Sequence, residues 1–567
     1  MTTTSNTDSE FPWSGQFANP SDSIDPALLK QLQAQYLQEF SALVQDLAAS
    51  KMPVLSDRRF AAPAWQTNNL FAFNAAAYLL NARYLTAMAA AVKAPKKIKQ
   101  RIVFSVQQTV DAMSPANFLA TNPEAQHRLL ESKGESLHKG ISHMLGDLKK
   151  GRITHTDDTA FEVGRNVATT AGSVIFENAL FQLIQYQPLT KTVHQRPLLI
   201  VPPCINKFYI LDLQPENSLV RYAVMEGHTV FLISWRNPDA SLGHLTWDDY
   251  VGMAVIKAIA VSQEISGQKQ INALGFCVGG TLLATALAVM AARGEQPVAS
   301  LTLLTSFLDF SDTGVIDVFI DEMQVRLREQ AIGEGGLMRG ADFTSTFASL
   351  RPNDLIWNYV GTNYLKGEEP PPFDLLYWNA DGTNLPGPMF CWYLRNTYLE
   401  NNLRHPNRVI VLGTPVDFGK IDAPAFLYAS REDHIVPWQS AFGSRALLNP
   451  GDPSRNQFVL GASGHIAGVV NPPAKKRRNY WTNTSTNTST GSGAGSNIGS
   501  NAGANIGTDA EAWLAAATNH AGSWWSEWSK FLATHAGKQI AAPKEPGNAH
   551  YNVIEPAPGR YVKAKLP

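Results

Sequence analysis

The sequence is poor in cysteine, in long apolar runs and in net charge, and each shortage removes a class of protein. Three cysteines, Cys204, Cys277 and Cys391, are too few and too scattered for a disulfide framework or a zinc site. No apolar run reaches the length of a membrane span, and the N-terminal MTTTSNTDSEF lacks the basic-then-apolar pattern of a secretory leader. The formal charge is −1, so no global field recruits nucleic acid or an anionic membrane. Neither a metal-ligand cluster nor a nucleotide-binding glycine loop is present, so no metal is expected. Free thiols without a leader point to a cytoplasmic, reducing compartment.

What is there is a chain of 567 residues, 44% of them hydrophobic, which suits two to three domains. Residues 1–24 read as a flexible polar leader. Asp25-Pro26 then reads as a helix start, an N-cap followed by Pro at the first turn. Leu29, Leu32, Tyr36, Phe40, Leu43 and Leu47 follow at helical spacing as one apolar stripe. A second apolar segment at 70–93 and further helical patterns predict a mostly helical N-terminal domain over 25–185. The texture then changes to short apolar runs: LLIV (198–201), TVFLIS (229–234), INALG (271–275), LTLLT (301–305), AFLYA (425–429) and QFVLG (457–461). Runs without clean alternation suit parallel strands covered on both faces, so 186–567 is expected to be a doubly wound α/β domain. The gap between 305 and 425 is too long for one crossover and predicts an inserted cap over about 311–413. Residues 355–398 hold ten aromatics in 44 positions, against 10% for the whole chain, as a lid over an apolar passage would. The uncharged TNTSTNTSTGSGAGSNIGSNAGANIGT (482–508) predicts a flexible surface loop. KKRR (475–478) reads as a solvated basic run, with contact to a phosphate-bearing substrate as the sharper alternative.

The chemistry gathers around INALGFCVGG (271–280). G-x-C-x-G is the G-x-S-x-G elbow of hydrolases with sulfur for oxygen, preceded by a strand run and followed by helix formers from Gly280 to Ala292. Alone, a cysteine among small residues is as well read as a buried small hydrophobe. An α/β-hydrolase elbow, however, demands a carboxylate and then a histidine, each just past a later strand. Asp433 lies four residues beyond one run and His465 four beyond the last. Cys277, Asp433 and His465 are therefore the expected catalytic triad. His434 is a rival base and Cys204 a rival thiol, and Cys391 reads as packing. The loop after LLIV, around Cys204–Asn206, is expected to supply one oxyanion N–H, that of Ile205, and Val278, next after the nucleophile, the other. Trp392 and Arg395 in the aromatic-rich insertion are expected to meet substrate, with Lys207 a further phosphate partner. SWWSEWSKFL (523–532) reads as a packed helix, or as a surface that holds polymer.

GFCVGG around Cys277, PPCINKFYILDL (202–213), SREDHIVPW (430–438) and GASGHIAGVVNPP (461–473) resemble the class I poly(3-hydroxyalkanoate) synthases. So do DAMSPANFLATNPEA (111–125) and EPAPGRYVKAK (555–565). The resemblance runs from about residue 26 to the end, broken clearly only at 482–508. It implies an α/β-hydrolase catalytic domain with a cap, and an enzyme that polymerises (R)-3-hydroxyacyl-CoA of short chain length into polyester. CoA would be part of the substrate and a product, not a cofactor. Cys277 would carry the acyl group, His465 would be the base and Asp433 the carboxylate. Homodimers, residence on cytoplasmic polymer granules and a growing polyester chain as partner follow from the same likeness. A thioesterase or other hydrolase with the same triad is the alternative reading.

Overall fold

The computed structural model describes residues 24–51, 54–483 and 502–565. The chain divides into two compact units, one of residues 1–154 and 351–370, the other of 155–350 and 371–567. The expected leader, apart from Ile24, lies outside the described residues.

The first unit is helical: α1 (Pro26–Ala48), α2 (Asn69–Ala91), α3 (Lys96–Ala112), α4 (Pro123–Glu131) and α5 (Glu135–Lys150). Asp25 caps α1 as its sequence predicts, its side chain accepting from Ala27 N–H at 2.9 Å. The stripe from Leu29 to Leu47 is half-buried throughout, and α1 contains no fully buried residue. Phe60, Trp65, Ala75, Tyr78 and Val110 form this unit's core. The cap expectation is corrected here: residues 351–370 belong with these helices. Tyr364 Oη donates to Asp147 at 2.8 Å, Asn363 Nδ2 to Thr154 O at 2.9 Å and Asn353 Nδ2 to Asp111 at 2.8 Å. Those partners lie more than 200 residues away, beyond the reach of any local pattern.

The second unit is built on an eleven-stranded sheet. Its strands are β1 (Gly172–Glu177), β2 (Phe181–Tyr186), β3 (Leu198–Val201), β4 (Val230–Trp235), β5 (Ile271–Phe276), β6 (Val298–Leu304), β7 (Ala425–Ser430), β8 (Asn456–Gly461), β9 (Asn479–Thr482), β10 (Thr518–Ala521) and β11 (Glu555–Pro556). Their order is β10-β9-β8-β7-β6-β5-β3-β4-β2-β1-β11. The six strands foreseen as apolar runs, β3 to β8, pair in parallel; antiparallel strands extend both edges. Two apolar layers, one on each face, cover them, which is why their sequences do not alternate. The helical region ends at Lys150 rather than 185, because β1 and β2 form a hairpin. Asn178 makes its turn, Oδ1 accepting from Leu180 N–H at 2.9 Å and Phe181 N–H at 3.1 Å. The expected loop 482–508 is also shorter. Thr482 ends β9, and the helix Ala502–Ala515 begins inside the low-complexity stretch; past residue 508 the same helix places Ala510 and Trp513 in the core. Residues 484–501 lie outside the described part.

Strand β3 has β4 on one side and β5 on the other, so the strand order reverses there. The carboxyl ends of strands at such a point form a crevice, where sites of doubly wound folds assemble.

One buried group contributes to the acid response of this unit. His228 is 1% exposed, stacks on His194 at 4.5 Å, and neither ring nitrogen has a partner among the described residues. Burial and the neighbouring imidazole lower its pKa to about 3. The unfolded chain binds a proton below about 6.5 that the folded chain refuses, so stability falls with pH from about 6.5 towards 3, by about 1.4 kcal/mol per unit from this residue. Urea midpoints measured at pH 7 and pH 5 should therefore differ less in His228→Phe than in the parent.

Candidate active site

Cys277 follows β5 directly and caps the helix α6 (Val278–Ala292) with φ 52° and ψ −129°. A non-glycine residue in that region costs about 1–3 kcal/mol and persists only where its surroundings over-determine it. Here they do. Cys277 N–H donates to Leu304 O of β6 at 2.9 Å, and glycines surround the turn. A Cβ on Gly275 would lie 2.8 Å from Gly280 N, and one on Gly279 would lie 2.5 Å from Pro202 O. The elbow and the loop after β3 therefore touch, and only glycine lets them. Cys277 is half-buried, whereas Cys204 is 1% exposed. Burial pushes the Cys204 thiol well up and Cys391 up to about 11, so neither ionises near neutral pH.

Asp433 and His465 stand past the ends of β7 and β8. His465 Nδ1 lies 2.7 Å from Asp433 Oδ2, with both side chains almost fully buried. The other carboxylate oxygen, Oδ1, accepts from Ile435 N–H and Val436 N–H, each at 2.8 Å. Asp433 is thus locked as an acceptor. It requires a proton on Nδ1 and leaves Nε2 for Cys277. The ring also stacks on Phe276 at 5.7 Å. Burial opposes a charge on His465, but the Asp433 carboxylate and the Cys277 sulfur outweigh it and raise the imidazole pKa. An imidazole of raised pKa beside a thiol is built to take the thiol's proton. The Nδ1 partnership places His465, not His434, as the histidine paired with the carboxylate.

Val278 stands first in α6, where a backbone N–H has no intrahelical acceptor. The loop after β3 is held from several directions. Trp235 Nε1 donates to Pro202 O at 2.9 Å, and Ile205 O accepts from Thr383 N–H at 2.8 Å. The occupied Ile205 carbonyl fixes the 205–206 peptide, and Pro202 O is held upstream, so the loop that carries the Ile205 N–H is anchored on both sides.

The family described as "Poly-beta-hydroxybutyrate polymerase (PhaC) N-terminus" matches residues 56–223, and the alpha/beta hydrolase fold matches 197–472. The poly(3-hydroxyalkanoate) polymerase subunit PhaC of Cupriavidus necator is 58% identical, covering 96% of this chain and 89% of its own. The chain belongs to the poly(3-hydroxyalkanoate) polymerase family. A poly(3-hydroxyalkanoate) polymerase of Methylorubrum extorquens is 40% identical over 95% of this chain and 88% of its own. The protein is accordingly an enzyme of α/β-hydrolase fold.

In this family member three expected substrate contacts have other partners. Arg395 spends all five of its N–H donors on carboxylates: Nε on Glu329, Nη1 on Glu322 and Glu400, Nη2 on Glu322 and Glu329. No donor remains for a phosphate, so Arg395 is an organiser of the insertion. Trp392 stacks on the buried Trp247 at 4.7 Å and 16°, a packing role. Lys207 is buried and donates to Ala564 O at 2.7 Å. Tyr393 and Tyr398 are the aromatics near the nucleophile instead. Burial raises both phenols, and their interaction with Cys277 contributes to each shift. Tyr398 meets Phe310 at 5.0 Å and Tyr393 at 5.5 Å.

Sequence reasoning also missed what holds His465. The residue opens a helix of five residues, His465–Val469, far too short to stand alone. Side-chain donors occupy its last carbonyls. Arg478 donates to Ala467 O, Trp524 Nε1 to Gly468 O at 3.0 Å, and Trp525 Nε1 to Val469 O at 2.8 Å. The packed-helix reading of SWWSEWSKFL is thereby given a purpose, and one residue of the basic run is not merely solvated. Trp525→Phe keeps the ring and deletes one donor. It should cost about 1–2 kcal/mol of stability and lower kcat several-fold at unchanged KM, which thermal melts and steady-state CoA release would measure.

Proposed function

We propose that the protein polymerises (R)-3-hydroxyacyl-CoA of short chain length, 3-hydroxybutyryl-CoA above all, into polyester through a thioester on Cys277. The observation that carries this reading is the pairing of a sulfur on the elbow with the His465–Asp433 couple, in a member of a polymerase family. Cys277 Sγ attacks the thioester carbonyl of the substrate. The Sγ–C bond forms, the bond to the CoA sulfur breaks, and His465 passes the thiol proton to the departing CoA. One thioester replaces another, so the acyl group stays activated and the step is nearly balanced; a serine would form an oxoester and lose that drive. The 3-hydroxyl of another unit then attacks. Its oxygen bonds to the acyl carbon, the Sγ–C bond breaks, and His465 carries the hydroxyl proton back to the sulfur. Val278 N–H and Ile205 N–H receive the negative oxygen in both steps, and each such donor contributes about 10²–10³-fold.

Water competes with the hydroxyl at every turnover. Phe307, Phe310, Tyr393 and Tyr398 form the aromatic cluster that supports water exclusion here. A cytoplasmic homodimer on the surface of polymer granules completes the proposal and rests on the family likeness. Incubation with 3-hydroxybutyryl-CoA tests the reading: polyester should accumulate with CoA release. Free 3-hydroxybutyrate as the main product would instead make the protein a hydrolase of the same fold.

A further inference from the structure

A second buried polar cluster lies beside the loop after β3, and the triad does not use it. Lys207 is 3% exposed and its Nζ donates to Ala564 O at 2.7 Å. Lys565, next in the chain, donates from Nζ to Asp381 Oδ2 and to Tyr377 Oη, each at 3.1 Å. Tyr209 Oη donates to the same Asp381 oxygen at 2.9 Å. Lys207 O accepts from Trp378 Nε1 at 2.7 Å, and Asn206 bridges to Gly382. Three separate stretches, 205–209, 377–383 and 564–565, thus close on one another.

The C-terminal stretch is itself anchored. Strand β11 pairs with β1, Tyr561 Oη donates to Asn178 O at 2.9 Å, and Val562 is 1% exposed. Lys565 therefore approaches from a fixed base. Charges of this kind are costly to bury, and a buried network favours one arrangement only when its members are all placed. The Asp381 carboxylate is 4% exposed and its Oδ1 has no partner among the described residues, so losing Lys565 would leave it with Tyr209 as its one remaining donor in this cluster. What the cluster holds is the Ile205 carbonyl and the chain that follows it, from Asn206 to Tyr209. Fixing a donor matters chemically, because a displacement of about 1 Å at a reacting centre costs on the order of 10²-fold.

We propose that Lys207, Asp381 and Lys565 form a clamp that positions the Ile205 amide toward the reacting carbonyl, acting as positioning residues remote from the triad. The inference rests on Ile205 N–H being an oxyanion donor. Lys565 is the residue to change first, since its side chain is 52% exposed. With 3-hydroxybutyryl-CoA, Lys565→Met should lower kcat about tenfold with KM within about twofold of the parent. Alkylation of Cys277 by iodoacetamide should proceed at the parental rate, and Lys565→Arg should restore kcat. Lys207→Met should reproduce the kcat loss. An unchanged kcat in Lys565→Met, or a parallel fall in kcat and alkylation rate, would overturn the clamp. Ile205→Pro removes the amide proton itself and should cost about 10²–10³-fold in kcat. If that variant keeps its activity, the oxyanion assignment fails and the clamp with it; if it loses activity while Lys565→Met does not, the clamp alone fails.

Discussion

Cys277→Ala should abolish CoA release, a loss on the order of 10⁴-fold or more, while leaving the protein folded. Removal of the sulfur deletes the only one of the three cysteines that is not buried. Cys204 cannot substitute, because burial holds its thiol protonated. The backbone should not object. Alanine at φ 52° is no more strained than cysteine, and the glycine-lined turn that permits the elbow is untouched. Thermal melts of parent and variant should therefore nearly superimpose while CoA release, followed by thiol titration, disappears. Cys277→Ser is the sharper companion. It keeps shape and hydrogen bonding but turns the first intermediate into an oxoester, so an initial burst of CoA should be followed by slow chain growth.

Asp433→Asn should lower kcat by about 10³–10⁴-fold with little change in KM. The argument is one of hydrogen-bond polarity. Ile435 N–H and Val436 N–H both point at Oδ1, so an asparagine there must present its carbonyl oxygen to them. Its amide NH₂ then faces His465 Nδ1, which must accept. The imidazole proton moves to Nε2 and points toward Cys277, and the ring can no longer take a proton from the thiol. The carboxylate's share in raising the His465 pKa is lost as well. A pH profile of CoA release checks this. The variant should stay slow across the range, whereas a mere fall in pKa would show recovery at one end.

The triad could be read from sequence because each member sits a fixed few residues beyond a buried apolar run, and such runs announce parallel strands. The strands β3 to β8 were visible for that reason. What stayed hidden depended on distant partners. Arg395 looks like any cation among aromatics until Glu322 and Glu329 arrive, 73 and 66 positions earlier in the chain. Trp524 and Trp525 look like ordinary core until their indole N–H groups are seen on the carbonyls of the His465 helix, each 56 residues away. The hairpin of β1 and β2 fell inside a stretch whose upstream half is helical, and only its pairing with β4 and β11 separates it. Residues 351–370 are covalently part of the insertion, yet their hydrogen bonds are to α3 and to the chain around α5.

The central claim is that the acyl group rests on one sulfur between two transfers. Brief reaction with 3-hydroxybutyryl-CoA, acid quench, proteolysis and mass spectrometry of the cysteine peptides test it directly. The prediction is a hydroxybutyryl adduct, or a short oligomer of it, on the peptide that contains Cys277 and on neither of the other two. Adduct on Cys204 or Cys391, or polyester forming while every cysteine peptide stays unmodified, would contradict the account.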